Sequence, residues 1–336
     1  GNQGSCIYST THQFILEETT FINNNDKEPT PNPNSFIYLD INESFTITGC
    51  NFTNNKQYIE ATVEGTLTFN NCTFEKYTQS NALILKHIQS TGDEGTVYEG
   101  CTFQENKDYT AIVADTDLFH NHTFRKCIIQ NNDVGSTETT TDEVSSIVSI
   151  TGGSANHIVL FEECQFILNN GNDRGGSIYI HDTNFKPSII NCVFDQNLGK
   201  EGSCIYSTTT EFTLEGTTFS NNNEKTQTGS SESFIFLELK DSFTITNCTF
   251  TENKQYIEAN VTGTLTLEDC TFEKYTKSNA LILNHISSIE GTVYDNCTFQ
   301  ENNKYTVIVA DSDTVHKHTF RNCTIQGNTG GVKGEE

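Results

Sequence analysis

Apolar and polar residues alternate in short runs along this chain, and one phrase recurs with them. A Cys or Thr is followed by any residue, a large apolar residue, two further residues and an Asn, and the phrase returns every 22 to 37 residues. Its copies are TTFINN (from Thr19), CNFTNN (Cys50), CTFQEN (Cys101), CIIQNN (Cys127), CQFILN (Cys164), CVFDQN (Cys192), TTFSNN (Thr217), CTFTEN (Cys248), CTFQEN (Cys297) and CTIQGN (Cys323). Two further copies, CTFEKY at Cys72 and Cys270, carry Tyr instead of Asn. Twelve copies in 336 residues predict a solenoid, whose repeats pack only on their neighbours.

Each repeat contains three short runs in which every second residue is apolar or small. The first run precedes the Cys, as in Phe45 and Ile47, Leu67 and Phe69, Val159 and Phe161, or Leu265 and Leu267. The Cys and the apolar residue two places later form the second run. The third follows the Asn, as in Ile37 and Leu39, Leu83 and Leu85, Ile112 and Ala114, or Ile178 and Ile180. Alternation puts such pairs on one face of a strand, and no helical period appears. The pattern therefore predicts an all-β fold, a parallel β-helix of about twelve coils with three short strands per coil.

Stacking the coils places like residues over like. The Cys and Phe of the phrase are predicted to form an inward structural column: Cys50, Phe52, Cys72, Phe74, Cys101, Phe103, Cys164, Phe166, Cys192, Phe194, Cys248, Phe250, Cys270, Phe272, Cys297 and Phe299. The Asn of the phrase is predicted to occupy left-handed backbone space at a tight corner and to build a side-chain ladder. These corner residues are Asn24, Asn55, Asn106, Asn132, Asn169, Asn197, Asn222, Asn253, Asn302 and Asn328.

The chain also contains a longer sequence repeat, which spans several coils. GSCIYSTT at Gly4 returns at Gly202, and KQYIEA at Lys56 returns at Lys254, an offset of 198 residues that falls to 196 before Cys297. We therefore divide the chain into a first unit of seven coils, residues 1–201, and a second, incomplete unit, residues 202–336, in one continuous β-helix. Neither end carries a polar capping element of the kind that isolated solenoids need. We expect the sequence to be a slice of a longer tandem array.

Charge and hydropathy exclude two classes of partner. The chain has 44 acidic and 19 basic residues, a net charge of −25, whereas nucleic-acid binding needs a basic surface. No run approaches the roughly 20 apolar residues that span a bilayer. Eight Asn-x-Ser/Thr sequons are candidates for N-glycosylation and are compatible with secretion: Asn42, Asn51, Asn71, Asn121, Asn247, Asn260, Asn296 and Asn322.

The FxxN phrase is accompanied by a second motif, GG[AS]I, which stands as GGSIYI at Gly175 and in degenerate form as GSCIYS at Gly4 and Gly202. Together these motifs resemble the polymorphic outer membrane protein repeats of chlamydiae and the similar surface proteins of trichomonad protists. The FxxN half covers almost the whole chain, and the GG[AS]I half matches in full once. The resemblance implies a right-handed β-helix that is displayed on a cell surface with an adhesive role.

Ten of the 12 cysteines fall in the inward column, and Cys6 and Cys204 fall on the small-residue strand instead. Column neighbours would have Cα atoms about 4.8 Å apart, inside the disulfide window of roughly 4.4–6.8 Å. Their Cβ vectors would be nearly parallel, which is poor disulfide geometry. We interpret the column as a ladder of buried thiols, with partial bridging in an extracellular rod as the alternative. Zinc is disfavoured because the chain has no CxxC motif.

Two sets of residues suggest chemistry. The run Ala-Asp-Thr-Asp places Asp115 and Asp117 on one face of a turn, and Asp311 and Asp313 repeat them, so these four are candidates for calcium. Two oxygens fall short of a calcium shell, so a surface turn explains them better, and no cofactor is expected otherwise. His120-x-His122 and His316-x-His318 suggest a metal pair, yet His122 and His318 fall where other coils carry Phe45 or Leu67. They are better explained as core-facing histidines.

These observations favour a non-enzymatic structural or adhesive rod, extracellular or on a cell surface. Its expected partner is itself, in end-to-end or lateral assembly, with glycans or host-surface receptors as further candidates. The first alternative is a carbohydrate-active lyase or hydrolase, which needs converging carboxylates in one groove. The second alternative is a glycan- or receptor-binding module without catalysis. Loops such as 26–34 and 133–143 are where contacts are expected.

Overall fold

We describe the fold from a computed structural model of the chain. It describes residues 6–10, 14–24, 35–55, 58–77, 88–93, 95–107, 112–115, 121–134, 146–151, 158–171, 174–181, 186–222, 233–276, 286–303 and 317–329, with the backbone alone at 89, 112–115, 151, 286 and 287. All regular elements in these ranges are β-strands. Every strand pairing is parallel, so the structure is built from coils and not from hairpins.

Two twelve-stranded parallel sheets run through the described coils. Sheet II holds the strands before the Cys: β2 (Leu16–Glu17), β5 (Phe45–Thr48), β8 (Leu67–Asn70), β11 (Thr96–Glu99), β14 (His122–Arg125), β17 (Ile158–Glu162), β20 (Lys186–Ile190), β23 (Thr213–Glu215), β26 (Phe243–Thr246), β29 (Thr264–Glu268), β32 (Gly291–Asp295) and β34 (His318–Arg321). Sheet III holds the strands after the Cys: β3 (Thr20–Ile22), β6 (Asn51–Thr53), β9 (Thr73–Glu75), β12 (Thr102–Gln104), β15 (Ile128–Gln130), β18 (Gln165–Ile167), β21 (Val193–Asp195), β24 (Thr218–Ser220), β27 (Thr249–Thr251), β30 (Thr271–Glu273), β33 (Thr298–Gln300) and β35 (Thr324–Gln326).

The small-residue strands form sheet I, which is described in two pieces. Sheet Ia contains β1 (Ile7–Ser9), β4 (Ile37–Ile41), β7 (Ile59–Val63) and β10 (Ile88–Ser90). Sheet Ib contains β13 (Ile112–Asp115), β16 (Val148–Thr151), β19 (Ile178–His181), β22 (Ile205–Ser207), β25 (Ser233–Leu239), β28 (Tyr256–Val261) and β31 (Ile286–Ser288). Strands from sheets I, II and III follow one another along the chain, which confirms the predicted parallel β-helix of three strands per coil.

The register confirms most of the predicted inward positions. Phe45, Ile47, Leu67, Phe69, Val159, Phe161, Leu265, Leu267, Ile37, Leu39, Ile178 and Ile180 are all buried. Ile112 and Ala114 pair with Val148 and Ile150 in sheet Ib. Leu83 and Leu85 lie outside the described residues, and the strand that the structure gives to their coil is β10, where Ile88 pairs with Ala61. The sequence of that coil contains a continuous apolar run, so alternation does not determine which of its residues form the strand.

The sheets pass from the first repeat unit to the second without a change of register. Ser188 pairs with Thr213 in sheet II, Val193 with Thr218 in sheet III, and Ile178 with Ile205 in sheet Ib. Backbone hydrogen bonds therefore join residues on either side of position 201, as they join neighbouring coils within each unit.

Stacked aromatic rings fill the lumen on the side of sheet III. The ring centroids of Phe52 and Phe74 are 4.9 Å apart, and those of Phe74 and Phe103 are also 4.9 Å apart. The stack resumes beyond Ile129, with 4.5 Å between Phe166 and Phe194. These spacings match the distance between neighbouring strands of a sheet. Apolar burial along this line supplies the main driving force for the fold.

Two left-handed corners bracket each strand of sheet III. In every described coil the residue before the Cys or Thr has a positive φ: Glu18, Gly49, Asn71, Gly100, Lys126, Glu163, Asn191, Gly216, Asn247, Asp269, Asn296 and Asn322. The second left-handed residue precedes the corner Asn, as in Asn54 (φ 48°), Glu105 (φ 55°) and Leu168 (φ 55°). The prediction that the corner Asn itself is left-handed is therefore wrong. The turn is completed one residue earlier, which frees the Asn to point inward.

Leu168 is a poor residue for its corner, and this gives a stability prediction. Its φ of 55° is costly for a residue with a branched side chain, whereas Asn tolerates this region. Its side chain is 47% exposed, so little packing depends on it. We expect Leu168→Asn to raise the free energy of unfolding by about 1 kcal/mol, measured as a higher urea midpoint. The control is Glu163→Asn at the other left-handed corner of the same coil. It replaces an unbranched side chain, so a gain confined to Leu168→Asn would show that the branched side chain causes the cost. An unchanged or lower midpoint for Leu168→Asn would contradict the corner assignment.

Candidate functional site

The inward column predicted from the sequence lies inside the lumen. Its Cys and Phe residues, from Cys50 to Phe299, are each at most 1% exposed. All twelve cysteines are free thiols in the structure. Each column thiol lies next to a carbonyl oxygen of the coil before it; for example, Cys101 Sγ is 3.3 Å from Phe69 O, and Cys127 Sγ is 3.1 Å from Tyr98 O. The thiols thus act as small, weak hydrogen-bond donors at the entry to sheet III.

Thr replaces Cys in two coils and makes a comparable contact. Thr19 Oγ1 donates to Glu17 O at 2.8 Å, and Thr217 Oγ1 donates to Glu215 O at 3.0 Å. Cys101 Sγ lies 3.7 Å from Glu99 O, the equivalent carbonyl. The position therefore selects a small side chain that can donate a hydrogen bond, which explains why the phrase begins with Cys or Thr.

Burial predicts which thiols are reactive. It raises the pKa of the Cys248 thiol to about 12, and it raises the pKa of Cys204 as well. Cys6 is exposed and Cys323 is half-buried at the other end of the described coils. We expect a thiol reagent to label Cys6 and Cys323 in the native protein and all twelve cysteines after unfolding. Mass spectrometry of the labelled peptides reads this out. Rapid native labelling of Cys101 or Cys164 would show that the lumen is open, and unlabelled pairs after denaturation would indicate disulfides.

The corner Asn residues form the predicted side-chain ladder. Asn169 Nδ2 donates to Asn197 Oδ1 at 3.1 Å and to Ile129 O of the preceding coil at 2.8 Å. The same arrangement continues from Asn197 to Asn222 and from Asn222 to Asn253. In the coils of Tyr77 and Tyr275 the backbone N–H of the Tyr donates to the next Asn side chain, Asn106 or Asn302. The side-chain amides hydrogen-bond to the backbone and to one another, so their role is structural.

The four candidate aspartates do not come together as a described site. Asp115 ends β13, and its side chain is outside the described part of the structure, as are Asp117, Asp311 and Asp313. Among the residues that the structure describes, no group of three or more His, Cys, Asp or Glu side chains could hold a metal ion. Calcium at the Asp pairs stays a hypothesis.

The structure describes one histidine of each suggested pair, His122 and His318. His122 begins β14 and is 1% exposed, and its Cα pairs with Thr96 and Val159. His318 begins β34, with its ring stacked 6.1 Å from that of Tyr294. Both occupy the inward position expected for core histidines. His120 and His316, the other halves of the suggested pairs, lie outside the described residues.

The sequons differ in accessibility. Asn42, Asn71, Asn247, Asn260, Asn296 and Asn322 are exposed. Asn51 and Asn121 are half-buried, and the Asn121 amide accepts from Ile158 N at 2.8 Å and donates to Asp93 O at 2.7 Å. The Asn of the four Asn-Cys-Thr sequons has a positive φ, a conformation that Asn tolerates better than most residues. Backbone geometry alone thus accounts for Asn at these positions.

The GG[AS]I motif brings two corner segments together. Gly175 has a φ of 62°, and a Cβ at Gly176 would collide with the carbonyl oxygens of Leu198 and Ser203. This close approach lets Arg174 form a parallel bridge with Glu201 of the next coil. The glycines therefore position a charged pair at the boundary between the two repeat units.

A cluster of aromatic and charged side chains surrounds that pair, and we call it the seam cluster. It contains Arg174, Tyr179, Glu201, Tyr206, Phe236 and Glu258. Arg174 Nε donates to Glu201 Oε2 at 3.1 Å, and Arg174 Cζ is 5.5 Å from the centroid of the Tyr206 ring. On the outer face of sheet Ib, the rings of Tyr179 and Tyr206 are 5.1 Å apart, and those of Tyr206 and Phe236 are 4.6 Å apart.

Glu258 continues the aromatic column, because Phe236 pairs with Glu258 in the register of β25 and β28. Its Oε2 atom is enclosed and has no hydrogen-bond partner among the described residues. Burial, followed by the nearby charge of Glu201, raises the pKa of the Glu258 carboxyl. Burial also raises the pKa of Tyr206 to about 12.

The sequence reasoning missed this cluster. Tyr179, Tyr206 and Phe236 occupy the middle of the Ile-x-apolar step, whose alternation predicts only the two inward residues. An aromatic residue at this outward position in three successive coils is the signal that could have found the cluster, because stacked outward rings are not needed for the core.

The described residues contain no helix that is long and apolar enough to cross a membrane. Comparisons with curated proteins and with solved structures gave no match. Residues 176–334 match the family model described as the right-handed beta helix region. Together with the two twelve-stranded parallel sheets, this match shows that the fold is a right-handed parallel β-helix.

Proposed function

We propose that the protein is an extracellular structural or adhesive rod. The observation that supports this most is the use of one set of side-chain ladders in coil after coil. The column thiols contact the backbone, the corner amides bond one another, and the Phe rings stack. Side chains that stack on one another inside the rod make it stiff and cannot take part in catalysis. The likeness of the FxxN and GG[AS]I motifs to polymorphic outer membrane proteins supports display on a cell surface.

Self-association is part of this proposal. The parallel ladders of sheets Ib, II and III continue from the first repeat unit into the second without a change of register. The same strand pairing can therefore add a further repeat unit from another molecule. Electron microscopy of the purified protein should show narrow rods that join end to end as the concentration rises. Rods that stay single at all concentrations, and that bind neither a glycan array nor host cells, would contradict the proposal.

Enzymatic turnover of a carbohydrate would overturn the proposal of a structural or adhesive rod. Such an enzyme needs two carboxylates at one site, one of them with a raised pKa, and the seam cluster contains Glu201 and Glu258. Incubation with uronate-containing and neutral polysaccharides, with and without calcium, tests for turnover. Product formation that is abolished by Glu258→Gln or Asp115→Ala would replace the structural function with catalysis.

A further inference from the structure

The inward face of sheet II is polar at two places, although most of the lumen is lined by apolar side chains. At each place a threonine and a tyrosine share one strand, and a histidine begins the next strand of the sheet. The first set is Thr96, Tyr98 and His122, and the second, 196 residues later, is Thr292, Tyr294 and His318. We call these two sets the lumenal polar clusters.

Each cluster contains two enclosed hydroxyl groups. Thr96 and Tyr98 are 0% exposed, and neither Thr96 Oγ1 nor the Tyr98 hydroxyl has a hydrogen-bond partner among the described residues. The same is true of the hydroxyls of Thr292 and Tyr294 in the second unit. A buried hydroxyl without a partner costs free energy, so in native proteins such groups usually bond to protein or to ordered water.

The packing of the lumen does not require these hydroxyls. The Tyr98 ring stacks on Phe69 at 5.4 Å and on Phe124 at 4.6 Å, so a phenylalanine fits this column equally well. Leu67 is the residue that pairs with Thr96 in the preceding strand. Polar groups at both inward positions of one strand, in both repeat units, therefore favour a polar occupant of the lumen.

The side chains of one cluster are close enough to share a small ligand. Thr96 and His122 are partners in the parallel register, so their backbones are about 4.8 Å apart. In the second cluster the ring centroids of Tyr294 and His318 are 6.1 Å apart. A water molecule hydrogen-bonds over about 2.8 Å on each side and so bridges gaps of this size. A larger solute would have to displace the stacked rings.

The chemistry of the cluster also suits water. Burial raises the pKa of the Tyr98 phenol, so this group remains a neutral hydroxyl. Threonine and tyrosine hydroxyls can each donate one hydrogen bond and accept others. Their complement is a neutral molecule that both donates and accepts, and a buried water molecule typically makes about three hydrogen bonds.

We propose that each lumenal polar cluster binds one internal water molecule. The water is hydrogen-bonded to the threonine and tyrosine hydroxyls, within reach of the histidine ring, and the remainder of the lumen stays dry. This inference does not depend on whether the rod is structural, adhesive or enzymatic.

Oxygen-17 relaxation dispersion of the solvent tests the proposal directly on the full chain, because its amplitude counts water molecules that stay inside a protein. We expect the amplitude to fall in the double variant Thr96→Val, Tyr98→Phe. Adding Thr292→Val and Tyr294→Phe should lower it about twice as far, since the two clusters are separate. The control is Tyr8→Phe, which removes a hydroxyl from a residue that is 60% exposed and should leave the amplitude unchanged. An unchanged amplitude in the lumenal variants would overturn the proposal.

The urea midpoint of Tyr98→Phe gives a second readout. Removing a hydroxyl that bonds to water loses hydrogen bonds, so we expect a lower midpoint, whereas removing an unpaired hydroxyl would relieve a desolvation cost and raise it. The variant should fold, because Phe69 and Phe124 occupy the same position in the neighbouring strands. Tyr8→Phe should keep the midpoint of the parent protein. A midpoint for Tyr98→Phe that is unchanged or higher would contradict a bound water.

Discussion

Phe103→Asp is expected to unravel the coils around it. Phe103 is fully buried, stacks on Phe74 at 4.9 Å and meets the Tyr98 ring edge-on at 6.1 Å. The substitution removes this packing, worth about 3–5 kcal/mol, and places an unpaired carboxylate in a dry lumen. Because each coil packs on its neighbours only, the damage should stay local. Hydrogen exchange should speed up in peptides covering residues 72–132, while residues 248–300 keep their protection.

The matched control is Thr102→Asp, one residue earlier in β12 on the outer, half-exposed face. It introduces the same charge into the same strand without burying it, so we expect less than about 1 kcal/mol of destabilisation. If Phe103→Asp melted like the parent protein, or if both variants were equally damaged, the inward face of sheet III would be misassigned.

Asn169→Ala should be the next most damaging change. The Asn169 side chain is fully buried and makes four hydrogen bonds: it donates to Ile129 O and Asn197 Oδ1, and its Oδ1 accepts from the backbone and side-chain nitrogens of Asn132. Alanine leaves the Ile129 carbonyl and the Asn132 amide without these partners inside the structure. At about 1–3 kcal/mol for each stranded group, we expect a loss of several kcal/mol in urea unfolding.

Asn170→Ala is the control, since the neighbouring Asn170 side chain donates to Asp133 Oδ1 at 2.7 Å on the exposed surface. It should change the unfolding free energy by less than about 1 kcal/mol. A similar loss in both variants would show that the ladder contributes no more than a surface contact does.

The fold could be predicted because its determinants repeat. Phe52, Phe74 and Phe103 each stand two residues after a Cys, so one local period also fixed the long-range pairing. The corner geometry could not be predicted in detail. An Asn such as Asn55 is a good left-handed residue, but so is Asn54 before it, and the sequence alone does not say which one turns the chain. The structure gives the turn to Asn54 and the ladder to Asn55.

The seam cluster shows a second limit. Arg174 and Glu201 are 27 residues apart, and their contact depends on the tight packing of Gly176 against Leu198 and Ser203. The repeat pattern places Tyr206 and Phe236 on an outer face, but it does not predict which side chains they contact. The contact emerges only when the loop lengths of three successive coils are fixed, and irregular loops carry no period from which to read them.

The central claim is that residues one coil apart are neighbours in a parallel ladder. NMR couplings across hydrogen bonds measure this directly, because they link an amide nitrogen to the carbonyl carbon that accepts its proton. The account predicts couplings from Thr102 N to Cys72 C′ and from Ile128 N to Cys101 C′, where the N···O distances are both 2.9 Å. Couplings from these amides to residues of an adjacent hairpin strand, in an antiparallel order, would contradict it.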